Sequence, residues 1–179
     1  MNPDTAFDVG LPDYSVHFLH SEDSAAIQEL WEICADYMLL LNGCPNDPQL
    51  GEGAFTDVPP GRSAEDLAIF GIIDRQGGLV GILHTLPGYP DENTWWIGVY
   101  VLIPELRSQG IGEQVVKGFE EYVRLRGYSS IMLGVVKKNK RASKFLKRIG
   151  FTVVRQTRPH QFGYSIHRVI VMRKSTSSV

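Results

Sequence analysis

The sequence RSQGIG, residues 107–112, joins a predicted buried strand to a predicted amphipathic helix. The strand is the apolar run TWWIGVYVLI, residues 94–103, which ends at Pro104 because proline cannot continue the hydrogen bonding of a sheet. The helix follows Gly112, has apolar residues every three or four positions and closes at Gly127. A glycine turn at a helix start presents backbone N–H groups and the positive end of the helix dipole. The stretch therefore predicts a phosphate-binding turn.

Such a turn is common in α/β proteins and need not bind anything, so the flanking residues decide its interpretation. A Walker loop would need Gly-Lys-Ser/Thr at its end, and a dinucleotide-binding turn would need a third small residue where Val115 stands. The segment instead resembles motif A of the GNAT N-acyltransferase superfamily, which is Arg/Gln-x-x-Gly-x-Gly/Ala after a strand ending in apolar-x-Pro. In this sequence the positions of that pattern are held by Leu102, Pro104, Arg107, Gly110 and Gly112.

The periodicity of the remaining sequence predicts a mixed α/β (α+β) fold, with one central, mostly antiparallel sheet and helices on both faces. The order is β-α-loop-β-β-β-α-β-α-β-β, which is the order of the GNAT fold. The predicted strands are residues 14–20, 67–74, 79–86, 94–103, 129–136, 151–157 and 165–172. The predicted helices are one capped by Ser21 that reaches Met38, one after Gly112, and a basic one from Asn139 to Gly150. We expect a single domain over residues 1–179, with residues 174–179 as a frayed tail.

Residues 42–63 form a segment that is rich in Pro, Gly and Asp and is long for a connection within a domain. It is either a lid or binding loop or a disordered surface loop. Leu50, Phe55 and Val58 are the residues that could fix it to the core.

Composition argues against several classes of protein. No apolar run approaches the ~20 residues of a membrane helix, and the N-terminus has no signal pattern, so we expect a cytoplasmic protein without a membrane partner. Cys34 and Cys44 have neither a CxxC spacing nor a histidine cluster beside them, which predicts no disulfide framework and no metal site.

Charge is distributed unevenly along the chain. All 20 acidic residues lie at or before Glu121, together with four basic residues, whereas residues 122–179 hold 14 basic residues and no acidic one. The two parts could interleave and cancel, or they could draw an anionic cofactor and a cationic substrate to opposite sides. The basic run KKNKRASKFLKR also raises nucleic-acid binding, but it has no interleaved aromatic residue beyond Phe145, so we expect no nucleic-acid partner.

The resemblance implies that the co-substrate is acetyl-CoA or another acyl-CoA. Its pantetheine arm would pair near Val101 and Leu102, where the central strand separates from the next strand and the thioester enters the gap. Asn139 matches the family's asparagine and would bond the same arm. As a residue that opens a helix it is equally an N-cap, and both roles can hold together. The pyrophosphate would lie on backbone N–H groups of Arg107, Ser108, Gln109, Gly110, Ile111 and Gly112.

The implied reaction is direct transfer of the acetyl group to a neutral primary amine, with a backbone N–H of the central strand stabilising the oxyanion. Many relatives use a tyrosine as acid and some use a glutamate as base, but Leu146 and Gly134 occupy these positions here. Either CoA leaves as a thiolate without a dedicated acid, which a thiol pKa of roughly 8.5 makes acceptable and which we favour, or the protein binds acyl-CoA without catalysis. The candidates for proton removal are His84, Tyr89, Asp91, Glu92 and Tyr100.

The acceptor is a small-molecule or peptide amine whose identity the sequence leaves open. Because the acidic part of the chain would supply the first helix and residues 42–63, which cover the acceptor side in this fold, we expect a cationic acceptor. The sequence leaves the oligomeric state open, although an exposed face of the closing hairpin makes a homodimer plausible.

Overall fold

A computed structural model of the chain describes residues 5–45 and 47–176. In this part of the chain, ten strands and five α-helices follow one another in a mixed α/β arrangement. The strands are β1 (Thr5–Phe7), β2 (Tyr14–Phe18), β3 (Ala68–Asp74), β4 (Leu79–Pro87), β5 (Thr94–Leu102), β6 (Ser130–Val136), β7 (Thr152–Gln156), β8 (His160–Phe162), β9 (Ser165–His167) and β10 (Val169–Ser175). The helices are α1 (Ser24–Ile33), α2 (Ala35–Asn42), α3 (Leu50–Gly53), α4 (Ile111–Leu125) and α5 (Lys140–Arg148).

Eight of these strands form one sheet in the order β1-β2-β3-β4-β5-β6-β10-β7. All neighbours in the sheet are antiparallel except β5 and β6, which are parallel. This arrangement confirms the predicted mostly antiparallel sheet. The parallel pair is possible because α4 provides the crossover that parallel strands require.

Helices cover both faces of the sheet, as predicted. On one face, α4 buries Val115, Phe119 and Val123 against residues of β3 and β6 that include Phe70 and Ile131. On the other face, α1 packs its apolar residues against β4 and β5. Ile27 and Leu30 of the helix form one buried cluster with Ile82 of β4 and Val101 of β5. The central strands read as nearly continuous apolar runs because both of their faces are buried.

The first helix is divided, contrary to the prediction of one helix capped by Ser21. Residues 21–23 form a 3₁₀ turn, and the Asp23 carboxylate, rather than the Ser21 hydroxyl, accepts a bond from the His20 N–H at 2.8 Å. The helix then breaks at Cys34, whose φ of −91° and ψ of 25° depart from helical values. The apolar spacing continues across the break, which is why the sequence did not reveal it.

The segment of residues 42–63 has a defined conformation in its described part, which leaves out residue 46. It contains α3, and Leu50 and Phe55 pack on the core below α1, as expected. Gln28 of α1 ties it down, because its side-chain oxygen accepts from Gly51 N at 3.0 Å and its side-chain nitrogen donates to Asp47 O at 3.1 Å. The alternative of a disordered loop is therefore wrong for these residues.

The C-terminal part of the chain differs from a simple closing hairpin. Strands β7 and β10 pair as predicted, but β8 and β9 form a separate two-stranded sheet between them. Lys174 pairs with Ile131 in the main sheet, and the hydroxyl of buried Thr176 donates to the Tyr128 carbonyl at 2.6 Å. Residues 174–176 are thus not a frayed tail, and residues 177–179 lie outside the described part.

Candidate active site

A gap opens between the two parallel strands in the middle of the sheet. The register of β5 with β6 runs from Thr94–Ser130 to Ile97–Leu133 and goes no further. Directly after Ile97, the pairing of β5 with β4 contains a bulge that leaves Gly98 without a partner on β4. A bulge bends its strand and strengthens the local twist, which carries the end of β5 away from β6. The expected separation of these strands is confirmed.

The backbone of β5 presents alternate residues to the gap. The Ile103 N–H donates to the Val80 carbonyl at 3.0 Å, so Val101, two residues earlier, also directs its polar groups to β4. Tyr100 and Leu102 therefore direct theirs toward the gap. Val101 was expected to bond the pantetheine arm, but its backbone is used by the sheet.

The glycine turn at the end of β5 has unused N–H donors. Gly110 precedes α4 with a φ of 85°, a conformation that favours glycine, and nothing lies within 4 Å of the position that its side chain would take. The N–H groups of Glu113 and Gln114 donate to the Gly110 carbonyl, whereas within the described chain those of residues 109–112 donate to no other group. A helix start with free N–H groups and an open approach fits a phosphate.

The Arg107 side chain turns away from this glycine turn. Its Nε donates to the Leu102 carbonyl at 2.8 Å, and its guanidinium pairs with the Asp36 carboxylate at the start of α2. The Cys34 thiol donates to the same Leu102 carbonyl at 3.6 Å. The bond from Arg107 lowers the pKa of Asp36, which keeps that carboxylate charged. Arg107 thus fixes α2 to the end of β5 and contributes only its backbone to the turn.

Helix α5 reaches the same turn from the far side of the gap. Asn139 caps α5 as predicted, with its side-chain oxygen accepting from Ala142 N at 3.0 Å. In the same first turn, Arg141 donates to the Ser108 hydroxyl at 2.9 Å, which brings a guanidinium next to the predicted phosphate position. Arg141 was not among the predicted site residues, although its place in a basic helix after β6 was a signal.

Helix α2 crosses the open end of the gap on the face opposite α4. Its first turn is fixed to β5 through Asp36, and its last turn meets the β8–β9 hairpin. There the Tyr164 N–H donates to the Asn42 carbonyl at 2.7 Å, and the His167 ring donates to the Leu41 carbonyl at 2.9 Å. The helix and the hairpin together cover the gap on this face. The hairpin was not predicted from the sequence.

Of the predicted catalytic residues, the structure brings His84 to the gap. Its ring lies on the α1 face of β4 beside Gly98, and its Nε2 is 2.8 Å from the Ala54 carbonyl. Tyr100 lies on the α4 face, where its hydroxyl donates to the Gly112 carbonyl at 3.0 Å and burial raises its pKa. Both of these side chains are half-buried.

The other three candidates lie in the turn between β4 and β5. The Asp91 carboxylate accepts from the Asn93 N–H at 3.0 Å and from the Thr94 hydroxyl at 2.9 Å, so it stabilises the turn. Glu92 is exposed, and the Tyr89 ring packs edge-on against Trp96 with ring centres 5.8 Å apart.

Close packing leaves no room for an acid or a base at the two positions that relatives use for proton transfer. Leu146 is buried in the core with 6% of its surface exposed. A methyl group on Gly134 would lie 2.8 Å from Val169 and 3.7 Å from the Trp96 ring, so a glutamate does not fit there. Trp96, which was not among the predicted site residues, lies beside Gly134 where the pairing of β5 with β6 ends.

Basic residues border the outer side of this region. A shallow cavity of about 470 Å³ is lined by Lys137, Lys138, Lys140, Arg168 and the β8–β9 hairpin. Within residues 5–45 and 47–176, no group of three or more His, Cys, Asp or Glu side chains is arranged to hold a metal ion. The helices described there also include none that is long and apolar enough to cross a membrane.

Comparison with known proteins agrees with this geometry. The model of the Acetyltransferase (GNAT) family matches residues 26–151. The chain is similar to an acetyltransferase from Thermus thermophilus, with a TM-score of 0.73 and 16% identity over 91% of this chain and 97% of that one. It is also similar to the ribosomal-protein-S18-alanine N-acetyltransferase from Escherichia coli, with a TM-score of 0.67 and 15% identity over 93% and 96% of the two chains.

A third similar structure is nourseothricin acetyltransferase, with a TM-score of 0.63 and 18% identity over 92% of this chain and 99% of that one. At these identities the three structures establish the fold alone. No curated protein sequence matches the chain.

Proposed function

The chain belongs to the GNAT acetyltransferase family, and from this premise we propose that it transfers the acetyl group of acetyl-CoA to a primary amine of a cationic acceptor. One observation carries the proposal. The gap between β5 and β6 opens next to a turn whose N–H groups are free, so a single extended ligand could place phosphates on the turn and a thioester in the gap.

The residues around the turn suit the phosphates of CoA. The N–H groups of Gln109, Gly110, Ile111 and Gly112 would bind the pyrophosphate, with Ser108 and Arg141 beside them. The N–H groups of Tyr100 and Leu102 would bond the pantetheine arm as an added strand would. Asn139 would contribute through whatever bonding capacity its cap leaves free.

Acetyl-CoA supplies an activated acetyl group, and the chain's own residues arrange its transfer. The acceptor amine attacks the thioester carbonyl, the new C–N bond replaces the C–S bond, and CoA leaves as a thiolate. A backbone N–H of β5 would stabilise the negative charge on the carbonyl oxygen, and the close approach of amine and thioester would supply much of the acceleration. The candidates for taking the amine proton remain His84, Tyr89, Glu92 and Tyr100.

The charge around the two sides of the gap supports a cationic acceptor. The loop that follows α2 carries Asp47, Glu52 and Asp57, and the field of Asp57 reaches His84 at the base of the gap. Arg141 lies instead beside the predicted phosphate position, and Lys137, Lys138 and Lys140 line the cavity next to the β8–β9 hairpin. An acceptor that enters from the loop side meets negative charge first.

An acyl-CoA-binding protein without catalytic activity is the alternative, and the loss of both usual proton-transfer positions at Leu146 and Gly134 favours it. One experiment separates the two functions. Spermidine, propylamine and a peptide with a free N-terminal alanine are incubated with saturating acetyl-CoA, and thiol release is followed with a chromogenic disulfide. We expect release above the amine-free rate, fastest with spermidine. Binding of CoA by calorimetry without release for any amine would support the alternative and contradict the enzyme.

A further inference from the structure

The hydrogen bonding of His84 defines which ring nitrogen carries its proton. Nε2 lies 2.8 Å from the Ala54 carbonyl oxygen, and a carbonyl oxygen can only accept a hydrogen bond. Nε2 is therefore the protonated nitrogen of the neutral ring. The lone pair that can take up a proton is on Nδ1.

Nδ1 points to the place where the two parallel strands separate. A methyl group on Gly98 would lie 3.2 Å from this nitrogen, so the atom stands directly beside the Gly98 backbone. Gly98 is exposed, whereas Ile97 before it has only 3% of its surface exposed and Val99 after it is half-buried. Because β5 and β6 cease to pair at Ile97, the exposed glycine and Nδ1 meet at the base of the gap.

We propose that His84 is the general base of the acetyl transfer and acts through Nδ1, an inference that rests on the proposed function. As the amine nitrogen forms its bond to the thioester carbon, Nδ1 takes a proton from that nitrogen. The C–S bond then breaks, CoA leaves as a thiolate, and the imidazolium returns its proton to water or to the thiolate. The Ala54 carbonyl is a positioning group, since it holds the ring and fixes its tautomer.

The surroundings of the ring keep it in the form that a base requires. Burial lowers the pKa of His84, and three smaller effects only partly oppose it: the bond to Ala54, the charge of Asp57 and a hydrogen bond of the ring to the backbone of His84 itself. Its neighbours across the sheet, Ile69 on β3 and Val99 on β5, are apolar, so Asp57 is the charged group that acts on it. The neutral ring therefore predominates at pH 7. Asp57 would stabilise the imidazolium once it forms.

An acceptor-independent experiment tests the position of Nδ1. Bromoacetyl-CoA would present an electrophilic carbon at the acyl position, where Nδ1 forms a C–N bond as bromide leaves. We expect peptide mass spectrometry to find one adduct, on His84, which excess CoA prevents and which His84→Gln abolishes. If the reagent competes with CoA in calorimetry but labels a different residue, or none, the proposal is wrong. If neither CoA nor the reagent binds, the proposed function fails, and this inference fails with it.

A kinetic experiment tests the role. With the fastest of the three amines, His84→Gln, whose amide can still donate to Ala54, should lower kcat about 100-fold or more, the scale of general-base catalysis. The rise of kcat on the acidic side of the pH profile should disappear while CoA affinity stays unchanged. His17→Gln is the matched control, because His17 also bonds a neighbour, the Ser15 hydroxyl, through Nε2, but lies on β2. A His84→Gln enzyme that keeps both its kcat and its acidic limb would overturn the assignment.

Discussion

At the scale of residues, the positions that related enzymes use for proton transfer are occupied by packing in this chain. Leu146 lies on the buried face of α5 and packs in the core. Val169 and the Trp96 ring lie so close to Gly134 that they occupy the space of a side chain there. A tyrosine or a glutamate at these sites would have to displace buried groups, which typically costs about 1–3 kcal/mol. The proposed acetyl transfer would therefore use other groups for proton transfer, and Tyr89 and Tyr100 offer the first test.

We expect Tyr100→Phe and Tyr89→Phe to leave substantial activity. The Tyr100 hydroxyl bonds the Gly112 carbonyl and joins β5 to α4, so its loss should lower stability by about 1 kcal/mol. Thermal unfolding and steady-state rates with the fastest amine measure the two effects. A fall in kcat of about 100-fold from either variant, the scale of a general acid, with CoA binding intact, would show that the acid had moved to that tyrosine.

At the scale of elements, the short helix α3 holds the 42–63 segment against α1. Gly51 faces α1 so closely that a methyl group there would overlap the Ser24 carbonyl oxygen and lie 3.0 Å from the Gln28 side chain. Gly53, two residues later in the same helix, has nothing within 4 Å of that position. The pair provides a matched change of one methyl group on the two sides of α3.

Gly51→Ala should displace the segment that carries the carbonyl bonded to His84, whereas Gly53→Ala should not. We expect Gly51→Ala to lower kcat/KM for the amine and to reduce stability by about 1–3 kcal/mol, while the affinity for CoA stays unchanged. Steady-state kinetics, denaturant unfolding and calorimetry measure these three quantities. Equal kcat/KM for the two variants would contradict a role for this segment on the acceptor side.

At the scale of the whole molecule, acidic and basic parts of the chain are joined but not fully mixed. Two ion pairs, Arg148–Glu113 and Lys174–Glu120, connect the C-terminal part to α4. Of the other basic residues of α5, Arg141 contacts the glycine turn and the three lysines are exposed. The acidic loop lies with α1 on the opposite face. This separation predicts that ionic strength affects the acceptor.

We expect kcat/KM for spermidine to fall as salt rises, because the Debye length shortens to about 10 Å at 0.1 M. Replacing Asp47, Glu52 and Asp57 together by their amides should weaken this dependence without changing CoA affinity. Asp47→Asn keeps an oxygen for the bond from the Gln49 N–H, so the loop should fold as before. The same charge change at the exposed residues Asp13, Glu22 and Glu121 serves as the control. A best acceptor that is neutral or acidic, with a rate insensitive to salt, would contradict the cationic assignment.

Periodicity predicted the centre of the fold well, because β5, α4, β6 and α5 are long elements with strong apolar patterns. Strands β1, β8 and β9 have three residues each and are too short to show the alternation of a strand. In the candidate site, the sequence predicted the parts that the backbone forms, which are the glycine turn and the separation of β5 from β6, but not the directions of the side chains. The direction of the Arg107 side chain depends on Asp36, which lies 71 residues earlier, and the place of His84 depends on a bulge in another strand.

The measurement that tests the account most directly is the binding of CoA to the turn before α4. Calorimetry should show that the wild type binds CoA and that Gly110→Glu weakens binding by at least about tenfold, or 1.4 kcal/mol, because a carboxylate would then face the pyrophosphate. Gly77→Glu is the matched control, since Gly77 has a φ of 84° and, like Gly110 at 85°, nothing within 4 Å of its missing side chain. It lies in the β3–β4 turn and should leave the affinity unchanged. A wild type that does not bind CoA, or a folded Gly110→Glu variant that binds it as tightly as Gly77→Glu, would contradict the account.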